Sequence, residues 1–123
     1  MTKRILIADD DDDLRQALAQ LLELEGYHIA GAPDGGAALG LAQGQAVYDL
    51  ILLDATLPGA NGTDVLTALH HLLPGVPIIV MSALTGGNMV SNALRGGASD
   101  FMAKPFDDEY VLLTVKKALG LQN

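Results

Sequence analysis

Acidic side chains that follow two apolar segments are the groups in this sequence best suited to chemistry. Ile5–Ala8 is followed by Asp9 and Asp10, and Leu50–Leu53 is followed by Asp54. Unbroken apolar runs of this length are typical of strands covered on both faces in a parallel sheet. Parallel strands end at one edge, where open α/β folds place their sites. We therefore expect the carboxylates to meet at that edge.

Two further apolar segments end in polar groups, one in the hydroxyl of Ser82 and the other in the amine of Lys104. Carboxylates that lie close together repel one another unless one is protonated or a cation binds. Oxygen ligands favour a hard cation, Mg²⁺ first and Mn²⁺ next. Lys104 could hold a phosphate oxygen, and Ser82 could donate a hydrogen bond to the same group. The set predicts a phosphoryl-transfer site with Asp54 as the nucleophile.

Strands and helices must alternate along the chain to position these side chains. The intervening segments have the apolar spacing of helices. Asp11 is expected to cap the first helix, which Gly26 ends, and Asp107 or Asp108 to cap the last. Strict alternation predicts an α/β fold with a parallel sheet and helices on both faces. The predicted strands are 4–8, 27–32, 50–54, 77–82 and 98–103; a weak helix is predicted over 36–42 and a turn-rich loop over 58–62.

Composition indicates one domain over residues 1–123, half of them hydrophobic and 18% charged. The absence of cysteine excludes disulfides and cysteine nucleophiles. A net charge of −8 argues against direct nucleic-acid binding. No apolar run approaches the roughly 20 residues of a membrane span, and no signal-peptide pattern follows Met1, so we expect a cytoplasmic location.

Over residues 4–119 the sequence strongly resembles the receiver domain of two-component response regulators. That resemblance implies a flavodoxin-like (βα)5 doubly wound sheet with strand order 2-1-3-4-5. Each motif alone is weak, and their order along the chain makes them specific. The motifs are Ile5-Leu6-Ile7-Ala8-Asp9-Asp10, Leu52-Leu53-Asp54 with Leu57-Pro58-Gly59 and Asn61-Gly62, Met81-Ser82-Ala83, and Phe101 with Lys104-Pro105-Phe106.

The resemblance also implies roles for single residues. Asp54 matches the phosphoacceptor, which takes a phosphoryl group from a sensor histidine kinase or a histidine phosphotransfer protein. Asp9 and Asp10 match the acidic pair that positions Mg²⁺, and the backbone carbonyl of Thr56 matches a further ligand. Such a domain catalyses its own phosphorylation and dephosphorylation, and it is not a turnover enzyme. Because Ala55 and Thr56 replace the larger apolar pair often found after the phosphoacceptor, the sequence leaves the phosphoryl lifetime open.

The remaining matches concern the switch. Ser82 and Lys104 match the groups that contact the new phosphoryl oxygens, and the bond before Pro105 matches a cis peptide. Phe101 matches an aromatic residue that turns inward when the hydroxyl moves. The change would reach a surface formed by the fourth helix, fifth strand and fifth helix. An output domain, an effector or a second copy in a homodimer would read that surface.

Three alternatives belong to other classes. A Mg²⁺-dependent phosphatase with an aspartate nucleophile would need a second aspartate where Thr56 stands. A flavin-binding domain would need a phosphate-cradling loop in place of the acidic residues 9–13. A receiver-like scaffold would signal without phosphorylation. The sequence also leaves open whether the domain acts alone or regulates a longer protein.

Overall fold

Residues 2–57, 62–83, 86 and 88–121 are described by a computed structural model, without the side chains of residues 62 and 63. Five strands and five helices alternate along them. Residues 58–61 of the loop predicted over 58–62 lie outside the described residues. The strands are β1 (Arg4–Ala8), β2 (His28–Ala32), β3 (Leu50–Asp54), β4 (Ile78–Ser82) and β5 (Asp100–Ala103); the helices are α1 (Asp12–Leu24), α2 (Gly35–Ala42), α3 (Gly62–Leu72), α4 (Met89–Arg95) and α5 (Asp108–Ala118).

The strands form one sheet in the order β2-β1-β3-β4-β5, and every neighbouring pair is parallel. This confirms the predicted fold, including the strand order that the resemblance implied. Ala8 lies opposite Leu53, and Ser82 lies opposite Ala103. The carboxyl ends of the four adjacent strands β1, β3, β4 and β5 are therefore level with one another.

The core has two halves, one on each face of the sheet, because alternate strand residues point to opposite faces. Leu53 and Val80 pack with side chains of α2, α3 and α4, including Leu66. Leu52 and Ile79 pack on the other face with side chains of α1 and α5. All five residues of β3 and of β4 are buried, as their unbroken apolar sequences predicted.

Aspartate side chains cap three helices, in agreement with two predictions. Asp11 accepts a hydrogen bond from the Leu14 backbone N–H at 3.1 Å, and Asp107 accepts one from that of Tyr110 at 2.8 Å. Asp34 caps α2 in the same way. The acidic residues of the first turn of α1 therefore stabilise a helix start as well as flanking the strand end.

The fourth strand begins one residue later than predicted, at Ile78, and the second and fifth begin later than predicted because their expected first residues close the preceding helix. Tyr27 donates its N–H to the Leu22 carbonyl at 3.2 Å, so it closes α1 and does not enter β2. Ala98 donates its N–H to the Ala93 carbonyl at 3.0 Å and closes α4 in the same way. Helix-closing hydrogen bonds extend past the last helical residue, and a hydropathy pattern does not record them.

Candidate functional site

An acidic cluster lies at the carboxyl ends of β1 and the central strand β3. One carboxylate oxygen from each of Asp9, Asp10 and Asp54 lies within 4.8 Å of the others. Asp9 and Asp54 are buried, with exposed fractions of 0% and 2%, whereas Asp10 is exposed. The structure thus brings together the three acids expected from the strand ends, and Asp10 lies on the solvent side of the cluster.

Asp9 is held by both of its carboxylate oxygens. Its Oδ1 accepts a hydrogen bond from the Asp11 backbone N–H at 2.9 Å, and its Oδ2 accepts one from the Lys104 ammonium at 2.9 Å. Burial nevertheless raises the pKa of Asp9, and repulsion from Asp54 adds to the increase, while the two hydrogen bonds oppose it. The cluster is therefore costly to keep ionised without a bound cation.

Lys104 follows β5 and lies between two carboxylates. Its Nζ is 2.9 Å from Asp9 Oδ2 and 3.5 Å from Asp54 Oδ2. Burial alone would lower the pKa of Lys104, but the hydrogen bond to Asp9 and the attraction of both carboxylates outweigh it and raise the pKa. The peptide bond between Lys104 and Pro105 is cis, as the resemblance implied.

Asp54 is held from the side opposite the lysine. Its Oδ1 accepts hydrogen bonds from the backbone N–H and from the side-chain hydroxyl of Thr56, both at 3.0 Å. Thr56 was expected to act as a carbonyl ligand and to bear on the phosphoryl lifetime, and the contact of its hydroxyl with Asp54 was not predicted. The ligand role of the Thr56 carbonyl stays a prediction.

Ser82 and Phe101 lie where the strand order places them. Ser82 ends β4, the neighbour of the Asp54 strand, and is 1% exposed. Phe101 is half-buried in β5 opposite Val80 and packs against the half of the core that contains Leu53. The two residues lie on neighbouring strands, and their switching roles stay predictions.

Arg15, on the first turn of α1, also contacts the site, and the sequence did not predict this. Its guanidinium donates a hydrogen bond to the backbone carbonyl of Asp9 and another to the carboxylate of Asp12. The available signal was weak, because an arginine three residues after an aspartate on a helix is usually a surface ion pair.

An apolar pocket of about 340 Å³ opens beside the cluster and is lined by Asp11, Leu14, Ala83, Lys104, Pro105 and Phe106.

The model of the response regulator receiver domain family matches residues 5–116, and the chain belongs to this family. It is 33% identical over 117 residues to the chemotaxis protein CheY of Thermotoga maritima, covering 95% of this chain and 98% of that protein. It is 40% identical over 119 residues to the DNA-binding response regulator MtrA of Mycolicibacterium smegmatis, covering 97% of this chain and 51% of MtrA.

A third relative is the C4-dicarboxylate transport transcriptional regulatory protein DctD of Pseudomonas aeruginosa, at 35% identity over 119 residues. That match covers 97% of this chain and 26% of DctD. The chain therefore spans about half of MtrA and about a quarter of DctD, but nearly all of CheY.

Solved structures agree with this assignment. The CheY-like receiver domain protein from Methanospirillum hungatei superimposes with a TM-score of 0.93 at 32% identity, covering 98% of this chain and 95% of that one. A response regulator from Burkholderia pseudomallei, solved with a phosphorylated aspartic acid, a calcium ion and citrate, gives a TM-score of 0.83 at 28% identity. That match covers 96% of this chain and 74% of that one.

These findings confirm the family, which is the receiver domain of two-component response regulators. A role as a phosphorylation-controlled switch is consistent with that family. The phosphatase alternative is not favoured, and Thr56 stands where that class needs its second aspartate. Within the described residues, no helix is long and apolar enough to cross a membrane.

Proposed function

We propose that Asp54 accepts a phosphoryl group from a phosphohistidine of a sensor histidine kinase or a phosphotransfer protein. The observation that carries this proposal is the surroundings of the Asp54 carboxylate. One oxygen is held by Thr56, and the other lies 3.5 Å from the Lys104 ammonium, beside two further acids. A buried carboxylate fixed in this way is oriented for attack and close to a cation that can take up new negative charge.

The transfer forms one bond and breaks one. An Asp54 carboxylate oxygen attacks phosphorus, and the bond from phosphorus to the histidine nitrogen breaks, with its electron pair remaining on the imidazole. The product is an acyl phosphate. Lys104, which donates to Asp9 in this structure, would move the short distance to a phosphoryl oxygen and form a charge-assisted hydrogen bond there.

The donors of the cluster fit a hard divalent cation. Asp9, Asp10 and Asp54 would hold Mg²⁺, or Mn²⁺ in its place, together with the backbone carbonyl of Thr56. Burial and the neighbouring Asp54 carboxylate raise the pKa of Asp9, and a bound divalent cation would stabilise its ionised form. When bound, the cation neutralises charge on the phosphoryl oxygens and orients them.

We further propose that the domain is a phosphoacceptor that reacts once per phosphoryl group and acts as a switch. Ser82 would donate its hydroxyl to the phosphoryl group, and Phe101 would fill the space that Ser82 leaves. The readout surface would consist of α4, β5 and α5, bound by an output domain, an effector or a second copy. It carries exposed apolar side chains at Val90, Leu94, Tyr110 and Leu113.

A cytoplasmic location belongs to the same proposal, and the cysteine-free composition favours it. No direct contact with nucleic acid is proposed for this domain, because its net charge is −8. DNA binding is a property named for MtrA, and MtrA is about twice as long as this chain.

Intact-mass spectrometry after incubation with acetyl phosphate and Mg²⁺ tests the proposal. We expect the mass of one added phosphoryl group, which is lost when EDTA replaces Mg²⁺ and absent in Asp54→Asn. The matched control is Asp13→Asn, an exposed acid of the same acidic run, which should be phosphorylated like the wild type. An unmodified wild type would contradict the proposal and favour a scaffold, whereas equal phosphorylation of Asp54→Asn would contradict it by showing that another residue is the acceptor.

A further inference from the structure

The side chain of Arg15 extends from α1 past Gly31 of β2 to Asp9, the residue that follows β1. Its side chain is 17% exposed, and its Nη1 donates a hydrogen bond to the backbone carbonyl of Asp9 at 2.8 Å. A Cβ atom at Gly31 of β2 would lie 3.3 Å from Arg15 Cδ and 3.4 Å from Nε. The glycine therefore leaves room for the arginine stem to pass over β2 and reach β1.

The carbonyl that Arg15 holds belongs to the peptide between two proposed metal ligands. The register of β1 with both neighbouring strands ends at Ala8, and Asp9 still donates its N–H to the Ala32 carbonyl at 3.1 Å. Beyond that point the chain turns toward α1. The Asp9 carbonyl thus has a side chain as its partner at the place where the strand ladder stops, and this contact fixes the plane of the Asp9–Asp10 peptide.

The orientation of this peptide matters most for Asp10. The Asp9 carboxylate is held by Asp11 and Lys104, whereas within the described part of the chain no hydrogen bond or ion pair holds the exposed Asp10 carboxylate. The backbone of Asp10 alone therefore fixes the position from which its side chain reaches the cluster. Arg15 orients the first peptide plane of that backbone.

We infer that Arg15 is a positioning residue for the metal-ligand pair Asp9 and Asp10, an inference that rests on the proposed function. Its charge would have the opposite effect, because a cation close to the cluster repels Mg²⁺. That repulsion is offset by Asp12, whose carboxylate accepts a hydrogen bond from Arg15 Nη2 at 2.7 Å. Positioning thus predicts weaker metal binding when Arg15 is removed, and electrostatics alone predicts tighter binding.

The test measures Mn²⁺ binding directly, from the electron paramagnetic resonance signal of free Mn²⁺, with Mg²⁺ as competitor. We expect Arg15→Met, which keeps an apolar stem beside Gly31, to weaken binding about tenfold, the lower end of the range for residues that orient metal ligands. Arg15→Lys keeps the positive charge but lacks the two guanidinium donors. Its Mn²⁺ affinity should lie between those of Arg15→Met and the wild type. The control Asp12→Asn leaves the bond to Asp9 intact and should bind Mn²⁺ within about twofold of wild type, because solvent screens the charge of the 72% exposed Asp12 side chain.

A readout without metal separates positioning from general destabilisation. In metal-free protein the ¹³C resonance of the Asp9 carbonyl should move in Arg15→Met and stay in place in Asp12→Asn. Unchanged or tighter Mn²⁺ binding in folded Arg15→Met, or an unmoved Asp9 carbonyl resonance, would overturn the inference alone. A wild type that binds no Mn²⁺ would overturn both this inference and the proposed metal site.

Discussion

The carboxylate of Asp9 shows how the site opposes burial with hydrogen bonds. It is fully buried, and the Asp11 N–H and the Lys104 ammonium both donate to it. Burial outweighs these contacts and raises its pKa. A group whose pKa is higher in the folded state stabilises the fold at low pH, and this contribution is lost as pH rises through the folded pKa. In metal-free protein at neutral pH, ionised Asp9 therefore lowers the free energy of unfolding.

Asp9→Asn should raise the free energy of unfolding of the metal-free protein at pH 7, since it removes the buried charge while Lys104 keeps Asp54 as a counter-ion at 3.5 Å. The gain should shrink as pH falls toward 3.8, the ordinary value of the carboxyl pKa, because the wild-type group then becomes neutral as well. Saturating Mg²⁺ should reverse the order, because it binds the wild type more tightly. Urea unfolding at several pH values with and without Mg²⁺ checks this. A less stable variant at every pH in EDTA would contradict it.

At the scale of single residues, the sequence predicted which groups meet but not how they pair. Five side chains could be placed at one edge of the sheet because each follows or ends a strand: Asp9, Asp10, Asp54, Ser82 and Lys104. A strand end determines where a residue lies and leaves its rotamer open. Three contacts were missed for that reason: Lys104 with Asp9, the Thr56 hydroxyl with Asp54, and Arg15 with the Asp9 carbonyl.

The end of α4 packs closely against α3 through glycine. Gly97 has a φ of 114°, and a Cβ atom there would lie 2.7 Å from Cγ of His70 on α3. The preceding Gly96 faces Leu66, with 3.0 Å between its would-be Cβ and Leu66 Cδ2. These contacts fix α4, an element of the proposed readout surface, against the helix that follows the phosphoacceptor strand.

Gly97→Ala should therefore lower the free energy of unfolding by about 1–3 kcal/mol, since it forces both an unfavourable φ and a clash with His70. The matched control is Gly40→Ala within α2, where an added Cβ meets no atom within 4 Å. That change should raise the free energy by about 0.5–1 kcal/mol through helix propensity. Urea unfolding measures both free energies. A Gly97→Ala protein that is as stable as Gly40→Ala would contradict the close packing at Gly97.

Elements were predicted more reliably than their ends. All ten elements could be predicted from hydrophobic spacing, glycine and the capping aspartates, and the structure confirms each of them. The starts of β2 and β5 were misplaced because Tyr27 and Ala98 donate their N–H groups to helix ends. Those bonds depend on how tightly each helix closes, which neither hydropathy nor residue type specifies.

At the scale of the whole molecule, the acidic cluster lies at the carboxyl ends of the strands, and the proposed readout surface consists of the edge strand β5 with α4 and α5. β5 links them, because Lys104 follows it directly and Phe101 lies within it. The sequence could predict the sheet and its strand order once the family was identified. It could not predict the partner, because the exposed side chains of α4 and α5 are compatible with an output domain, an effector or a second copy.

The central claim is that phosphorylation of Asp54 changes the surface formed by α4, β5 and α5. The most direct measurement is the backbone amide NMR spectrum before and after acetyl phosphate with Mg²⁺, with Asp54→Asn treated alike. We expect shifts near Asp54 and Lys104, together with shifts at Phe101 and along α4 and α5, all absent in Asp54→Asn. Shifts confined to the acidic cluster, or equal shifts in Asp54→Asn, would contradict the switch.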